Sequence, residues 1–157
     1  MEFVRTRRIP AQPERVWPFV EDPTKWPLWF TEARRCEVIS GAGVGRRQRM
    51  YGTARGKATE IDQTVTAYEP PRLLRWHHDE ERVEGKVAPV VYARDAVAEI
   101  VIEPDGDASA VTFRLLAEPG SLLFTLILRF LARGPIGVSF ETSLRQLEER
   151  VLAGPAG

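Results

Sequence analysis

Cysteine is almost absent from this chain: Cys36 is the only one among 157 residues. A lone thiol closes no intrachain disulfide and assembles no cysteine zinc site, which suits a reducing compartment and leads us to expect a cytoplasmic protein. Histidine is nearly as scarce. His77 and His78 are adjacent, and no second histidine stands at helical or strand spacing, so no metal is expected and no cofactor is implied. Net charge is missing too, with Lys+Arg and Asp+Glu both at 22. Without a basic excess there is no electrostatic footprint for nucleic acid or an anionic membrane. The first residues alternate polar and apolar instead of forming the apolar stretch of a secretion signal. The longest apolar run, Leu122 to Leu131, is broken by Thr125 and Arg129 and is too short to span a bilayer, so stable membrane insertion is not expected. No nucleophile elbow or paired-carboxylate arrangement occurs, and Gly41-Ala42-Gly43-Val44-Gly45 joins two strands, so it has no helix N-terminus to hold phosphate.

What is present is the composition of one globular domain over residues 1–157, with 43% hydrophobic and 28% charged residues. Residues 2–9 alternate as a first strand. Pro13-Glu14 opens a short helix carrying Val16, Trp17 and Val20, and Asp22-Pro23 ends it and caps a second one with Trp26, Trp29 and Phe30. Strands are expected over 34–40, 46–54, 57–68, 73–79, 96–103 and 110–117, separated by turn signals such as Pro104-Asp105-Gly106-Asp107. Residues 80–92 read as an ambiguous stretch that extends a hairpin. Strands with no helices between them argue for an antiparallel meander. Leu122, Leu123, Leu126, Ile127, Phe130 and Leu131 then follow a helical period. Gly134-Pro135 is expected to kink or break the helix, and Phe140, Leu144, Leu147 and Val151 resume its apolar stripe.

Particular words in the chain carry a resemblance: Ile9-Pro10-Ala11-Gln12-Pro13-Glu14-Arg15-Val16-Trp17, Asp22, Trp26-Pro27-Leu28-Trp29-Phe30, Gly45, Val65 to Leu73, and Ser143 to Glu148. With this order of elements, the sequence resembles the SRPBCC (START-like) superfamily, polyketide cyclase/dehydrase and lipid-transport type, over essentially its whole length. The resemblance implies an α+β helix-grip fold: a curved antiparallel sheet of about six to seven strands wrapped around a long C-terminal helix, with two short helices after the first strand. It also implies a deep pocket. Members bind lipids, sterols, polyketides, quinones or hormones, a minority are cyclases or aromatases, and some are protein-interaction modules, so fold does not settle function.

Strand alternation gives the side chains expected to line such a pocket: Met50, Ile61, Gln63, Val65, Trp76, His78, Ile100 and Phe113, with Leu123, Ile127, Phe130 and Phe140 as lids from the helix. His78 is the candidate proton-transfer group, because adjacent strand residues point to opposite faces and His77 then looks outward. Trp29 is expected to pack the short helices on the sheet, and Trp26 is the aromatic suited to an exposed, gating role. Tyr51 and Tyr92 could each offer a hydroxyl. Arg47 and Arg49 are expected on the outer face beside Glu37 or Glu60. The leading expectation is binding of a small hydrophobic or aromatic molecule, with transport of a lipid-like ligand as its extension. The rival is a cyclase, aromatase or dehydratase. A third reading is an interaction module in which Phe124 and Leu128 face outward and the helix forms a homodimer.

Overall fold

The computed structural model describes residues 1–54, 56–88 and 94–154. Strand β1 (Glu2–Ile9) leads into helix α1 (Pro13–Glu21), whose first-turn Pro13 occupies a position where no backbone N–H is needed. Asp22 then caps a 3-10 turn, Pro23–Leu28, by accepting from the Thr24 backbone N–H at 2.9 Å. Strands β2 (Arg35–Ser40), β3 (Arg47–Ala54), β4 (Lys57–Glu69) and β5 (Leu73–Val83) follow as a meander. A two-residue β6 (Lys86–Val87) folds back on β5, and β7 (Asp95–Asp105) and β8 (Ala108–Glu118) complete the sheet. The strand order is β1-β8-β7-β5-β4-β3-β2, with every pairing antiparallel. This is the helix-grip arrangement. The ambiguous stretch after residue 79 resolves in part: β5 runs on to Val83 and turns at Glu84-Gly85. Tyr92 lies outside the described residues.

The last segment is helical from end to end: α2 (Leu122–Ile127), a π-turn (Leu128–Ala132) and α3 (Arg133–Ala153). The expected break at Gly134-Pro135 does not occur. Instead the helix widens in the turn just before, which makes room for a proline ring that would clash with the carbonyl four residues back. By length and composition this 32-residue run is long and apolar enough to cross a membrane, contrary to the expectation from the Leu122–Leu131 run alone. Its C-terminal part packs into the domain through Phe140, Leu144, Leu147 and Val151, whereas Leu122, Leu123, Leu126, Phe130 and Leu131 are exposed. Arg5 to Glu141 (2.7 Å) and Arg7 to Glu148 (2.5 Å) tie α3 to β1.

Between α3 and the sheet lies an aromatic core. Trp26 meets Trp76 with ring centroids 4.7 Å apart, Phe113 stacks on Phe140 at 4.2 Å, and Phe30 meets Phe113 edge-on at 5.1 Å. The indole N–H groups of Trp26 and Trp29 donate to the carbonyls of Val20 and Phe19, both at 2.9 Å, so two large side chains are buried without an orphaned donor. Trp29 packs the short helices as expected. Trp26 is fully buried and is not a gate.

Candidate functional site

The inner face of the sheet divides into a closed part and an open part. Near α3, Val65, Trp76, Ile100 and Phe113 are at most 1% exposed and belong to the core. Towards the far ends of β4 and β5, Ile61, His78 and Val83 are only half-buried and Glu81 is exposed, with Met50 and Gln63 buried beside them. The packing of α3 explains the division, because its principal contacts are with β1, β8, α1 and the 3-10 turn. The far inner face of β3, β4 and β5 is therefore the part of the sheet that α3 covers least, and it is the candidate recess beside the core.

Register decides which side chains face that recess. Ile61 pairs with Glu81, Gln63 with His78, and Val65 with Trp76. Between Asp62 and Gln63 on β4 a single step corresponds to two on β5, so Asp79 is an extra, bulged residue. Without it Glu81 would share the outer face with His77. With it Glu81 turns inward beside His78. Strict alternation along β5 misses this carboxyl, and only the bulge reveals it. The outer face is closed by ion pairs: Arg49 with Asp62 at 2.6 Å, and Arg82 with Glu60, Asp62 and Glu80 at 3.0, 3.1 and 2.6 Å. Arg49 thus pairs with Asp62 and not with Glu37 or Glu60, and Glu37 instead accepts from the Tyr51 hydroxyl at 2.7 Å.

The two histidines have opposite chemistry. His77, on the outer face, is hydrogen-bonded to Asp79 at 2.8 Å and Asp95 at 2.6 Å, and these carboxylates raise its pKa. His78 makes no hydrogen bond among the described residues, and burial pushes its pKa down to about 4, so at neutral pH it is an uncharged imidazole. Burial also raises the Glu81 carboxyl. The inner face at this end of β5 therefore carries an uncharged imidazole and, beside it, a carboxyl whose pKa is raised. No cluster of metal-ligating side chains occurs among the described residues.

A chain of buried polar groups runs behind them. Arg46 donates from Nε to Gln48 Oε1 at 3.0 Å, and Gln48 Nε2 donates to Gln63 Oε1 at 2.9 Å. Gln63 Nε2 and Trp76 Nε1 are buried and unpartnered, a condition that costs about 1–3 kcal/mol per group unless an acceptor arrives.

The helix residues fall differently from the expected lids. Phe140 is buried and Ile127 half-buried, whereas Leu123 and Phe130 are 65% and 71% exposed. Phe130 is not on the inner face. Conversely, Phe124 and Leu128, expected to face outward, are half-buried, and Leu128 packs on the core. The cause is the π-turn, which adds about one residue to a helical turn and so shifts the phase of everything before it. A surface stripe of Leu122, Leu123, Leu126, Phe130 and Leu131 results. Separately, an open groove of about 470 Å³ is bordered by Met1, Pro119, Thr125, Arg129 and Arg133, none of them an expected pocket residue.

Solved structures share this architecture. Protein TTHA0849 of Thermus thermophilus superposes with a TM-score of 0.77 at 26% identity, covering 98% of each chain. Ara h 8.0201 gives 0.69 at 12% identity over 98% of this chain and 99% of its own. CV1439 of Chromobacterium violaceum gives 0.66 at 17% over 96% of both. No curated protein matches the sequence. The family profile for polyketide cyclase/dehydrase and lipid transport matches residues 1–152, and the chain belongs to that family.

Proposed function

We propose that this domain binds, and in the cytoplasm carries, a small and largely apolar molecule in the recess on the inner face of β3, β4 and β5. One observation carries the reading. The inner face passes from close-packed aromatics to half-buried Ile61 and Val83 around His78, Glu81 and Gln63, whose polar atoms include the unpartnered Gln63 Nε2. Mostly apolar walls with a few convergent polar groups are the composition of small-molecule sites. Native mass spectrometry of protein purified from its own host tests it. A co-purifying molecule is expected, and it should be lost when Ile61→Trp fills the recess. A ligand retained by the filled variant, or protein that is empty in every preparation, overturns the reading.

A catalytic reading is favoured by the neutral imidazole of His78 and the raised carboxyl of Glu81 on one face. In a cyclisation or dehydration of a polyketide-like substrate, His78 would take a proton from carbon and Glu81 would give one to the departing oxygen. Turnover then falls with either His78→Gln or Glu81→Gln, and turnover unchanged in both ends this reading. The stripe from Leu122 to Leu131 supports pairing with a second copy of the chain, since exposed apolar side chains grouped on one helix are costly when left in water. Sedimentation of the wild type against Leu126→Ser/Phe130→Ser decides it: a dimer lost in the double variant is expected, and a wild-type monomer at high concentration refutes it.

A further inference from the structure

Amide side chains usually leave open which end donates, but here it is fixed. A guanidinium has donors only. Because Arg46 Nε donates to Gln48 at 3.0 Å, the atom that receives must be the Gln48 oxygen. Its nitrogen then donates to Gln63 at 2.9 Å, which commits the Gln63 oxygen as acceptor and leaves the Gln63 nitrogen at the end of the chain. Arg46 itself is anchored, donating from Nη1 to the Glu21 carbonyl at 2.8 Å. Gln63 Nε2 cannot escape by flipping, because a flip would set its NH₂ against that of Gln48. It is buried and unpartnered. Trp76 Nε1, a donor on the adjoining inward position of β5, is buried and unpartnered as well. Two donors on adjoining inward positions of β4 and β5 are thus left without an acceptor, and Arg46 Nη2, at the other end of the amide chain, is a third. Directly across from Gln63, the half-buried His78 marks the side open to the recess.

We propose that Gln63 Nε2, supported by Trp76 Nε1, is a recognition point for an acceptor oxygen, so that the ligand of this recess is an apolar molecule bearing a ketone, ester or carboxyl oxygen and not a plain hydrocarbon. This rests on the binding reading above and deepens it. The donors are covered by their neighbours in this structure, so arrival of the oxygen is accompanied by a shift of the Gln63 amide or of the His78 ring. A bound water would satisfy the same donors, and the experiment separates the two.

The probes are 2-acetylnaphthalene and 2-isopropenylnaphthalene, alike in shape and differing by a carbonyl oxygen in place of a methylene. Titration calorimetry should show the ketone binding about tenfold tighter to the wild type, the worth of one well-placed hydrogen bond. Gln63→Leu should erase the difference while keeping affinity for the hydrocarbon. Gln63→Glu, which presents an acceptor at neutral pH, should turn the preference towards 1-(2-naphthyl)ethanol. In the wild type, where folding is not at issue, the Gln63 side-chain amide resonances should move with the ketone and stay put with the hydrocarbon. Equal affinities, or a Gln63 amide that keeps its contact to water when the ketone is bound, overturn the acceptor subsite and leave the recess standing. Failure of both probes to bind overturns the recess and the subsite together.

Discussion

Replacing His78 by glutamine should make the stability of this protein less sensitive to acid by an amount that the structure sets. The imidazole pKa falls from 6.5 to about 4 on folding, chiefly through burial, with His77 adding repulsion and Asp79 opposing it. At 1.36 kcal/mol per unit this corresponds to roughly 3 kcal/mol, and water entering the recess reduces it to about 2. Because the folded pKa is depressed, the unfolded chain takes up the proton first. The contribution is complete above pH 6.5, is lost as pH falls towards 4, and changes no further below that. Neighbouring groups act in the opposite direction. His77, whose pKa is raised by Asp79 and Asp95, and Glu81, raised by burial, both bind protons more tightly in the folded state, so through these two groups the fold gains stability as pH falls through their folded pKa values. A single pH curve therefore mixes three contributions, and the difference between wild type and His78→Gln isolates one. Urea denaturation at pH 7, 6, 5 and 4 should show the wild type losing about 2 kcal/mol relative to the variant. The Cε1–H resonance of His78 should titrate near 4, and that of His77 above 6.5. Parallel stability curves, or a His78 resonance titrating at 6.5, would refute the placement of this ring in a desolvated recess.

Asp62, held down to about 2 chiefly by its hydrogen bond to Arg49, contributes stability above pH 3.8 that is lost as pH falls through 2. Asp62→Asn should cost about 1 kcal/mol at pH 7, a solvent-screened figure, and the gap should close in urea melts run towards pH 2. Gly52 allows no side chain, because a Cβ there would lie 2.3 Å from the Glu32 carbonyl oxygen. Gly52→Ala should lower stability by about 2 kcal/mol, read by thermal unfolding, and an unchanged melting temperature would show that the two segments are not in contact. The two faces of α3 should respond differently. Leu144→Ala removes a fully buried side chain and should cost about 2–5 kcal/mol, whereas Val138→Ala changes an exposed one and should stay within about 0.5 kcal/mol in the same melts.

The element order, the antiparallel meander, the opposite orientations of His77 and His78, and the buried stripe of Phe140, Leu144, Leu147 and Val151 were all legible in the chain before it folds. They follow from local periodicity, which persists as long as the count of residues per strand step or helical turn is regular. Features that depend on irregular counts emerged only on folding. One extra residue at Asp79 turned Glu81 inward, and the π-turn at Leu128–Ala132 rotated the helical face at and before it by about a quarter turn, leaving Phe130 exposed and Leu128 half-buried against the core. The direction of the Gln48 and Gln63 amides was likewise beyond the sequence. It depends on Arg46, beside Gln48 on the same extended segment, and on the pairing of β3 with β4, which sets Gln63 opposite Gln48. Insertions of a single residue shift parity without changing composition, and hydrogen-bond direction is a property of contacts between strands. Both are set when the sheet forms.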